Sequence, residues 1–199
     1  MTGNPVLEAL ERHRVVAVVR QKDAGSALAH ARTVLDAGLR VIEISLTTPG
    51  AWEAIGELAK VCAGLDDVTM GVGTVHTPEE VDRAADLGAA FVISPTLSRP
   101  VIAAARERGI ATIPGCLTPT EMWQATQWGA DAVKIFPASL WTPASLAGML
   151  EALPSLRCVP TGAIAPEDVT RWLAAGALAV GMGSALTRLP PGPLPWTTA

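Results

Sequence analysis

The sequence has few of the features that mark several large classes of protein. Its 199 residues include 15 basic and 19 acidic side chains, so no strong basic field predicts a nucleic-acid partner. The three cysteines and three histidines form no CxxC, HxH or HExxH pattern, and we therefore predict reduced thiols and no metal site. No uncharged run is longer than residues 172–187, a segment that contains glycine and serine and is too short to span a membrane.

Lysine is also scarce: the basic residues include only Lys22, Lys60 and Lys134, and the others are arginine. Charged residues near the N-terminus leave no apolar core for a signal peptide, so we expect a cytoplasmic protein. Apolar residues make up 49% of the chain, which is too many for a disordered protein. We predict one globular domain over residues 1–188 and a proline-rich tail over residues 189–199.

One pattern recurs along the chain, in which an amphipathic segment ends at a glycine and a short apolar run follows. Glycine suits a helix C-terminus because the left-handed conformation there excludes most residues with a Cβ. Proline with nearby acidic residues predicts helix starts at residues 77–80, 118–121 and 165–168. The predicted strands are residues 15–19, 41–44, 68–70, 91–93, 110–113, 133–136, 158–159 and 178–180.

This alternation predicts βαβ units and a parallel sheet, and the lack of in–out alternation indicates strands buried on both faces. Eight units favour an α/β fold of the (β/α)8 TIM barrel type. The alternative is an open doubly wound sheet, but no GxGxxG follows the first strand. Residues 5–14 are predicted to form an N-terminal helix that covers part of the barrel. Four prolines within residues 190–195 predict that the last helix is shortened or missing.

Three charged residues, Arg20, Glu43 and Lys134, lie within or at the end of apolar strands, where an unpaired charge is costly. A structural salt bridge is one explanation. The other is chemistry, because active residues of such barrels lie at the carboxyl ends of strands. Burial lowers the pKa of a lysine, and the neutral amine of Lys134 can then form a Schiff base with a ketone. Arginine cannot do so, since its guanidinium stays protonated.

Glu43 is the only carboxylate within a predicted strand, and it is the candidate for moving the proton of a substrate hydroxyl. Glycine-rich segments follow the seventh and eighth strands, at residues 160–164 and 181–184. Loops in these positions often bind phosphate through backbone N–H groups, although plain turns are the alternative. Residues 71–75 bring a close backbone approach and the Thr74 hydroxyl to the same rim.

These segments, together with Lys134-Ile135-Phe136-Pro137-Ala138, resemble the 2-keto-3-deoxy-6-phosphogluconate (KDPG) and 4-hydroxy-2-oxoglutarate (KHG) aldolases over most of the chain. The resemblance implies a class I, metal-independent aldolase without a cofactor, commonly a homotrimer, that splits KDPG into pyruvate and glyceraldehyde 3-phosphate. It implies a place in the Entner–Doudoroff pathway. The alternatives are cleavage of KHG or of 2-keto-3-deoxy-6-phosphogalactonate, or a barrel that only binds a sugar phosphate.

The resemblance also implies individual roles, with Lys134 as the Schiff-base lysine and Glu43 as the proton-transfer residue. The implied substrate-binding residues are Arg20, Thr74, Pro95, Phe136, Thr161, Gly162, Ala163, Gly183 and Ser184. Phe136 either lines the ketone pocket or packs in the core.

The sequence departs from the family pattern at two positions of the expected site. Thr47 stands where some members carry arginine. Other members instead have an arginine at the end of strand 1, which Arg20 matches, and the resemblance therefore implies that Arg20 contacts the substrate carboxylate. Ala163 replaces a usual glycine of the phosphate loop, and its methyl group either crowds a phosphate or is harmless if φ is negative.

Overall fold

The computed structural model describes residues 3–188 and residue 196. Helices alternate with strands along the chain, as the glycine repeat predicts. The strands are β1 (Val15–Val19), β2 (Val41–Ser45), β3 (Thr69–Gly73), β4 (Phe91–Ile93), β5 (Ala111–Ile113), β6 (Gly115–Cys116), β7 (Val133–Ile135), β8 (Cys158–Pro160) and β9 (Val180–Met182). The helices are α1 (Pro5–His13), α2 (Ala24–Asp36), α3 (Ala51–Cys62), α4 (Pro78–Asp86), α5 (Arg99–Arg108), α6 (Pro119–Gln127), α7 (Pro143–Ala152) and α8 (Val169–Ala174).

The strands form a curled, parallel sheet, which confirms the predicted α/β class. Six strands pair in the order β5-β4-β3-β2-β1-β9, and three pair in the order β6-β7-β8. β5 and β6 follow each other in the chain across Pro114, which has no N–H to donate to a ladder. A parallel bridge between Thr161 and Gly181 links the chain after β8 to β9. The carboxyl ends of these strands therefore lie along one edge of the sheet.

The sheet is buried on both faces, as the continuous apolar runs predict. All five residues of β2 are buried. Val16 and Phe91 belong to one apolar cluster, into which α1 also packs Leu10. The strand residues that are adjacent to these along the chain belong to a second apolar cluster, which also includes residues of the surrounding helices. Helix α1 thus covers the inner cluster at the amino ends of the strands, and Asn4 at its start donates a 2.7 Å hydrogen bond to Asp131.

Two segments that the sequence assigns to loops are parts of strands, and those two boundary predictions were wrong. β3 continues through Gly71 to Gly73, and β9 is shifted toward the C-terminus to include Gly181. A Cβ at Gly71 would overlap the ring of Phe91, and one at Gly181 would overlap the side chain of Thr161. Glycine inside a strand often marks such a close approach, but it interrupts the apolar pattern that reveals strands.

The predicted helix starts at Thr77 and Thr118 are confirmed, and each forms a reciprocal capping box with the glutamate three residues later. The third predicted start instead begins as a short 3-10 helix, Pro166–Asp168, that leads into α8. Apart from Trp196, which is buried in the core, the predicted proline-rich tail lies outside the described residues. None of the helices within residues 3–188 is long and apolar enough to cross a membrane.

Candidate active site

A cleft of about 1070 Å³ opens where the carboxyl ends of β1, β7, β8 and β9 converge. Glu167, which follows β8, and His30 of α2 contribute to its wall. The predicted site residues that line it are Arg20, Lys134, Phe136, Thr161, Gly162, Ala163, Gly183 and Ser184. The structure therefore gathers most of the predicted site from four separate parts of the chain.

Lys134 is the middle residue of β7, and it is 7% exposed at the wall of the cleft. Its Nζ lies 4.6 Å from the centroid of the Phe136 ring, which projects from the same side of the chain. Burial lowers the pKa of Lys134, the charge of Glu43 opposes this effect, and the charge of Arg20 adds to it. More of the amine is therefore neutral at a given pH than in a solvated lysine, and the neutral amine is the nucleophilic form.

Glu43 is the middle residue of β2 and is 1% exposed. Burial raises the pKa of Glu43 more than the positive charges of Lys134 and Arg20 lower it. Its carboxyl group occupies the space beside Gly73 of β3, where a Cβ would lie 2.7 Å from the carboxyl carbon. Its Oε2 has no hydrogen-bond partner among the described residues. A buried polar atom without a partner is costly, so this oxygen is an exception to the usual pairing of buried polar groups.

The ion pairs formed by the described residues do not include one between Lys134 and Glu43, which argues against a structural salt bridge. The pKa of each group moves toward its neutral form, because desolvation outweighs the attraction between the two charges. Perturbations of this kind are concentrated at catalytic sites.

A chain of hydroxyl groups continues from Glu43 along the same face of β2. The Oγ of the fully buried Ser45 lies 2.8 Å from Thr47 Oγ1 and 2.8 Å from Thr74 Oγ1. Thr74 has a φ of 64°, an unusual conformation for a β-branched residue. The hydrogen bond from β2 thus holds a strained residue at the end of β3. Ser45 thus joins Thr47 and Thr74 into one chain of three hydroxyl groups.

The loop after β8 has two consecutive residues in the left-handed region, Gly162 with a φ of 106° and Ala163 with a φ of 54°. Because the φ of Ala163 is positive, the condition under which its methyl group would be harmless is not met. The left-handed conformation strains an alanine by about 1–2 kcal/mol. Thr161 Oγ1 donates a 3.1 Å hydrogen bond to the Val159 carbonyl oxygen. A Cβ at Gly162 would lie 3.5 Å from the Phe136 ring, so this glycine packs under the aromatic wall of the cleft.

Phe136 is 37% exposed and lines the cleft, which favours the first of its two predicted placements. Thr74 and Pro95 follow β3 and β4 on the same edge of the sheet, outside the residues that line this cleft. Within the described parts of the chain, no group of three His, Cys, Asp or Glu side chains is arranged to hold a metal ion.

Sequence reasoning missed His30, Ser45 and Glu167 as neighbours of the site. The buried residues of α2 include Ala27, Ala31 and Val34, and His30 lies three residues after the first and four before the last. This i, i+3, i+4, i+7 spacing places a histidine on the inward face of an amphipathic helix, a signal that was available in the sequence. The position of Ser45 near the site depends on how the strands pair, and that of Glu167 depends on the path of the loop after β8.

The fold and the site together define a class I aldolase, a carbon–carbon lyase that works through a lysine Schiff base. A buried lysine with a lowered pKa lines the cleft, and a buried acid lies within electrostatic reach of it. The family model described as "Aldolase: KDPG and KHG aldolase" matches residues 6–190. The chain belongs to the KDPG and KHG aldolase family.

Individual relatives agree with this assignment. The chain is 36% identical to the 2-dehydro-3-deoxy-6-phosphogalactonate aldolase of Escherichia coli, over 87% of this chain and 84% of that protein. It is also 36% identical to the 2-dehydro-3-deoxy-phosphogluconate aldolase of Treponema pallidum, over 85% and 80% of the two chains. A crystal structure of KDPG aldolase from Legionella pneumophila, with pyruvate captured as a covalent carbinolamine intermediate, has a TM-score of 0.80 at 28% identity and matches 92% of this chain and 87% of that one.

Proposed function

We propose that the protein reversibly cleaves KDPG to pyruvate and glyceraldehyde 3-phosphate. The observation that carries the proposal is the amine of Lys134, buried at the wall of a cleft with its pKa lowered. The names of the relatives support this class of substrate. The covalent pyruvate adduct in the Legionella structure supports the same covalent route, with Lys134 as the lysine used here.

Lys134 carries out the first chemical steps. Its neutral Nζ attacks the C2 ketone carbon of the substrate, and loss of water from the carbinolamine leaves a protonated imine. The imine withdraws electrons from the C3–C4 bond. As that bond breaks, the electron pair moves toward the imine nitrogen and forms an enamine, and the C4 hydroxyl becomes the carbonyl of the departing aldehyde.

Glu43 supplies the proton transfers that this route requires. Its carboxylate accepts the proton of the C4 hydroxyl as the C3–C4 bond breaks, and the acid form then returns a proton to C3 of the enamine. Hydrolysis of the resulting imine releases pyruvate and restores the amine. A raised pKa suits both roles, because the group gains and loses a proton within one cycle.

The remaining predicted residues are proposed to hold the two ends of the substrate. At the keto acid end, the Arg20 guanidinium and the Thr74 hydroxyl bind the carboxylate, and Pro95 and Phe136 contact the ketone portion. At the far end, the phosphate contacts the loops after β8 and β9, through Thr161, Gly162, Ala163, Gly183 and Ser184. Most of these residues line one cleft, and this supports the proposal.

Cleavage of KHG, which has no phosphate, is a second candidate that specific observations favour. The methyl group of Ala163 stands in the loop where the family usually has glycine, and its φ of 54° is strained. The exposed carboxylate of Glu167 lines the same cleft and repels a dianion. Comparing turnover of phosphorylated and unphosphorylated keto acids separates the two candidates.

We also propose that the curled sheet is a closed (β/α)8 barrel in which β5 and β6 act as one strand. The bridge from Thr161 to Gly181 and the hydrogen bond from Leu178 N to Cys158 O support closure between β8 and β9. We further propose that residues 1–188 form one domain and that the protein is cytoplasmic.

A homotrimer is the proposed assembly. The exposed apolar side chains Leu117, Trp123 and Leu140, near α6 and the segment after β7, are the surface proposed for contacts between subunits.

The test of the covalent mechanism is reduction of the imine with borohydride in the presence of pyruvate. We expect a stable adduct on the peptide that contains Lys134, and none when Lys134→Arg replaces the amine with a guanidinium of similar charge. Lys22 and Lys60 serve as internal controls for non-specific modification. An adduct confined to those two lysines, or no adduct at all, would refute the assignment.

A further inference from the structure

The charges around the cleft do not match the needs of a substrate with an anion at each end. The charged and titratable residues that line it are Arg20 after β1, His30 on α2, Lys134 on β7 and Glu167 after β8. Lys134 is assigned to covalent chemistry and Arg20 to the keto acid carboxylate. Glu167 carries the wrong sign for a phosphate. Of the described lining residues, His30 is the remaining one that can become positive.

The described residues around His30 leave its imidazole without a hydrogen-bonding partner. The side chain is partly buried on the inward side of α2, near the buried Ala27 and Ala31. No hydrogen bond or ion pair joins it to another of the described residues. The other charged residues in the second half of α2, Arg32 and Asp36, are exposed. A polar group at the wall of a cleft without a protein partner is placed to contact what enters the cleft.

We propose that His30 is a specificity residue that contacts the far anionic group of the substrate in its protonated form and favours phosphorylated over unphosphorylated keto acids. The proposal rests on the proposed aldolase function and extends it to a residue on a helix. Its contact with the phosphate would offset the repulsion from Glu167.

The electrostatics of the site make this contact dependent on pH. Burial lowers the pKa of His30, so the empty site holds a largely neutral imidazole above that pKa. A dianion nearby stabilises the charged form and raises the pKa. Binding of a dianion is then accompanied by uptake of a proton, and it weakens as the pH rises.

The direct test follows the imidazole signals of the wild-type protein by NMR during a pH titration, with sodium sulfate and with sodium chloride at equal ionic strength. Sulfate stays a dianion across the titration, so changes in its own charge do not interfere. We expect the pKa of His30 to be higher in sulfate than in chloride. The imidazole signal that disappears in His30→Gln identifies the resonance of His30. An equal His30 pKa in the two salts would overturn the proposal.

The kinetic test compares KDPG with 2-keto-3-deoxygluconate, which differs only in lacking the phosphate. In His30→Gln we expect the ratio of kcat/KM for the two substrates to fall about 10-fold, mainly through KM for KDPG, as loss of a hydrogen bond to a charged group implies. His30→Lys should restore the preference and remove its decline at high pH. An unchanged ratio in His30→Gln would contradict the role of His30. Trapping of pyruvate on Lys134 in each variant tests the aldolase function separately, because pyruvate has no far anionic group.

Discussion

Gly73 is the position at which a single methyl group should disable the site without removing any of its reactive groups. It lies in β3 beside the carboxyl group of Glu43, on the neighbouring strand β2. A Cβ added at Gly73 would lie 2.7 Å from the carboxyl carbon and from Oε1, and 2.8 Å from Oε2. Ordinary contacts between carbon atoms are about 3.5–4.0 Å, so Gly73→Ala requires a shift of about 1 Å.

The shift should lower both the stability of the fold and the rate of the catalysed reaction. Overpacking of a well-packed interior costs about 1–3 kcal/mol, which should lower the unfolding midpoint but leave the fold intact. A displacement of about 1 Å in a catalytic group can reduce the rate about 100-fold. We therefore expect Gly73→Ala to reduce kcat for KDPG cleavage by about that factor, while pyruvate still forms an imine with Lys134.

The assay measures cleavage by coupled detection of pyruvate, together with borohydride trapping and thermal unfolding of each variant. Gly148→Ala is the matched control, because a Cβ at this position of α7 meets nothing within 4 Å and alanine favours the helix. Glu43→Gln keeps the side-chain volume and should lose activity by a similar factor without overpacking. A folded Gly73→Ala protein with wild-type kcat would refute the assignment of proton transfer to a fixed Glu43 carboxyl.

Three further predictions concern charge, backbone strain and helix capping. Glu43→Gln removes the negative charge that raises the pKa of Lys134. The increase in the rate of pyruvate trapping with pH should therefore occur at a lower pH than in the wild type. A shift of this increase to a higher pH would contradict the electrostatic coupling. Ala163→Gly relieves a left-handed alanine by about 1 kcal/mol and should lower KM for KDPG without lowering the unfolding midpoint, whereas a higher KM would exclude crowding by the methyl group. Thr118→Ala removes the cap of α6 and should cost about 1 kcal/mol in urea unfolding, with Thr118→Ser close to the wild type as the control.

Strands and helix ends are predictable here because their causes are local. Apolar runs buried on both faces define most strands, and the capping threonines of α4 and α6 carry their hydrogen-bonding partners three residues away. The same reasoning fails at Gly71 and Gly181. These strand positions are glycine because the side chains of Phe91 and Thr161 occupy the space where a Cβ would lie.

The candidate site shows the same division. A lysine and a glutamate inside apolar strands are visible in the sequence, because charge is costly there whatever the partners. The hydroxyl chain from Ser45 to Thr74 depends on the pairing of β2 with β3, and no spacing along the chain reveals it. His30 is an intermediate case. The spacing of apolar residues predicts that it lies on the inward face of α2, but it does not predict that this part of the face borders the cleft.

By itself, the sequence determined the alternation of strands and helices, the burial of the strands and the choice of Lys134 as the candidate nucleophile, since each follows from composition and short-range spacing. Only the tertiary structure decided that desolvation exceeds attraction between Lys134 and Glu43, so that the pKa of each shifts toward the neutral form. It also decided that Ala163 is strained and that His30 and Glu167 share the cleft with Lys134. These properties depend on distances between groups that are remote in the chain and on the solvent that packing excludes, and a linear pattern encodes neither.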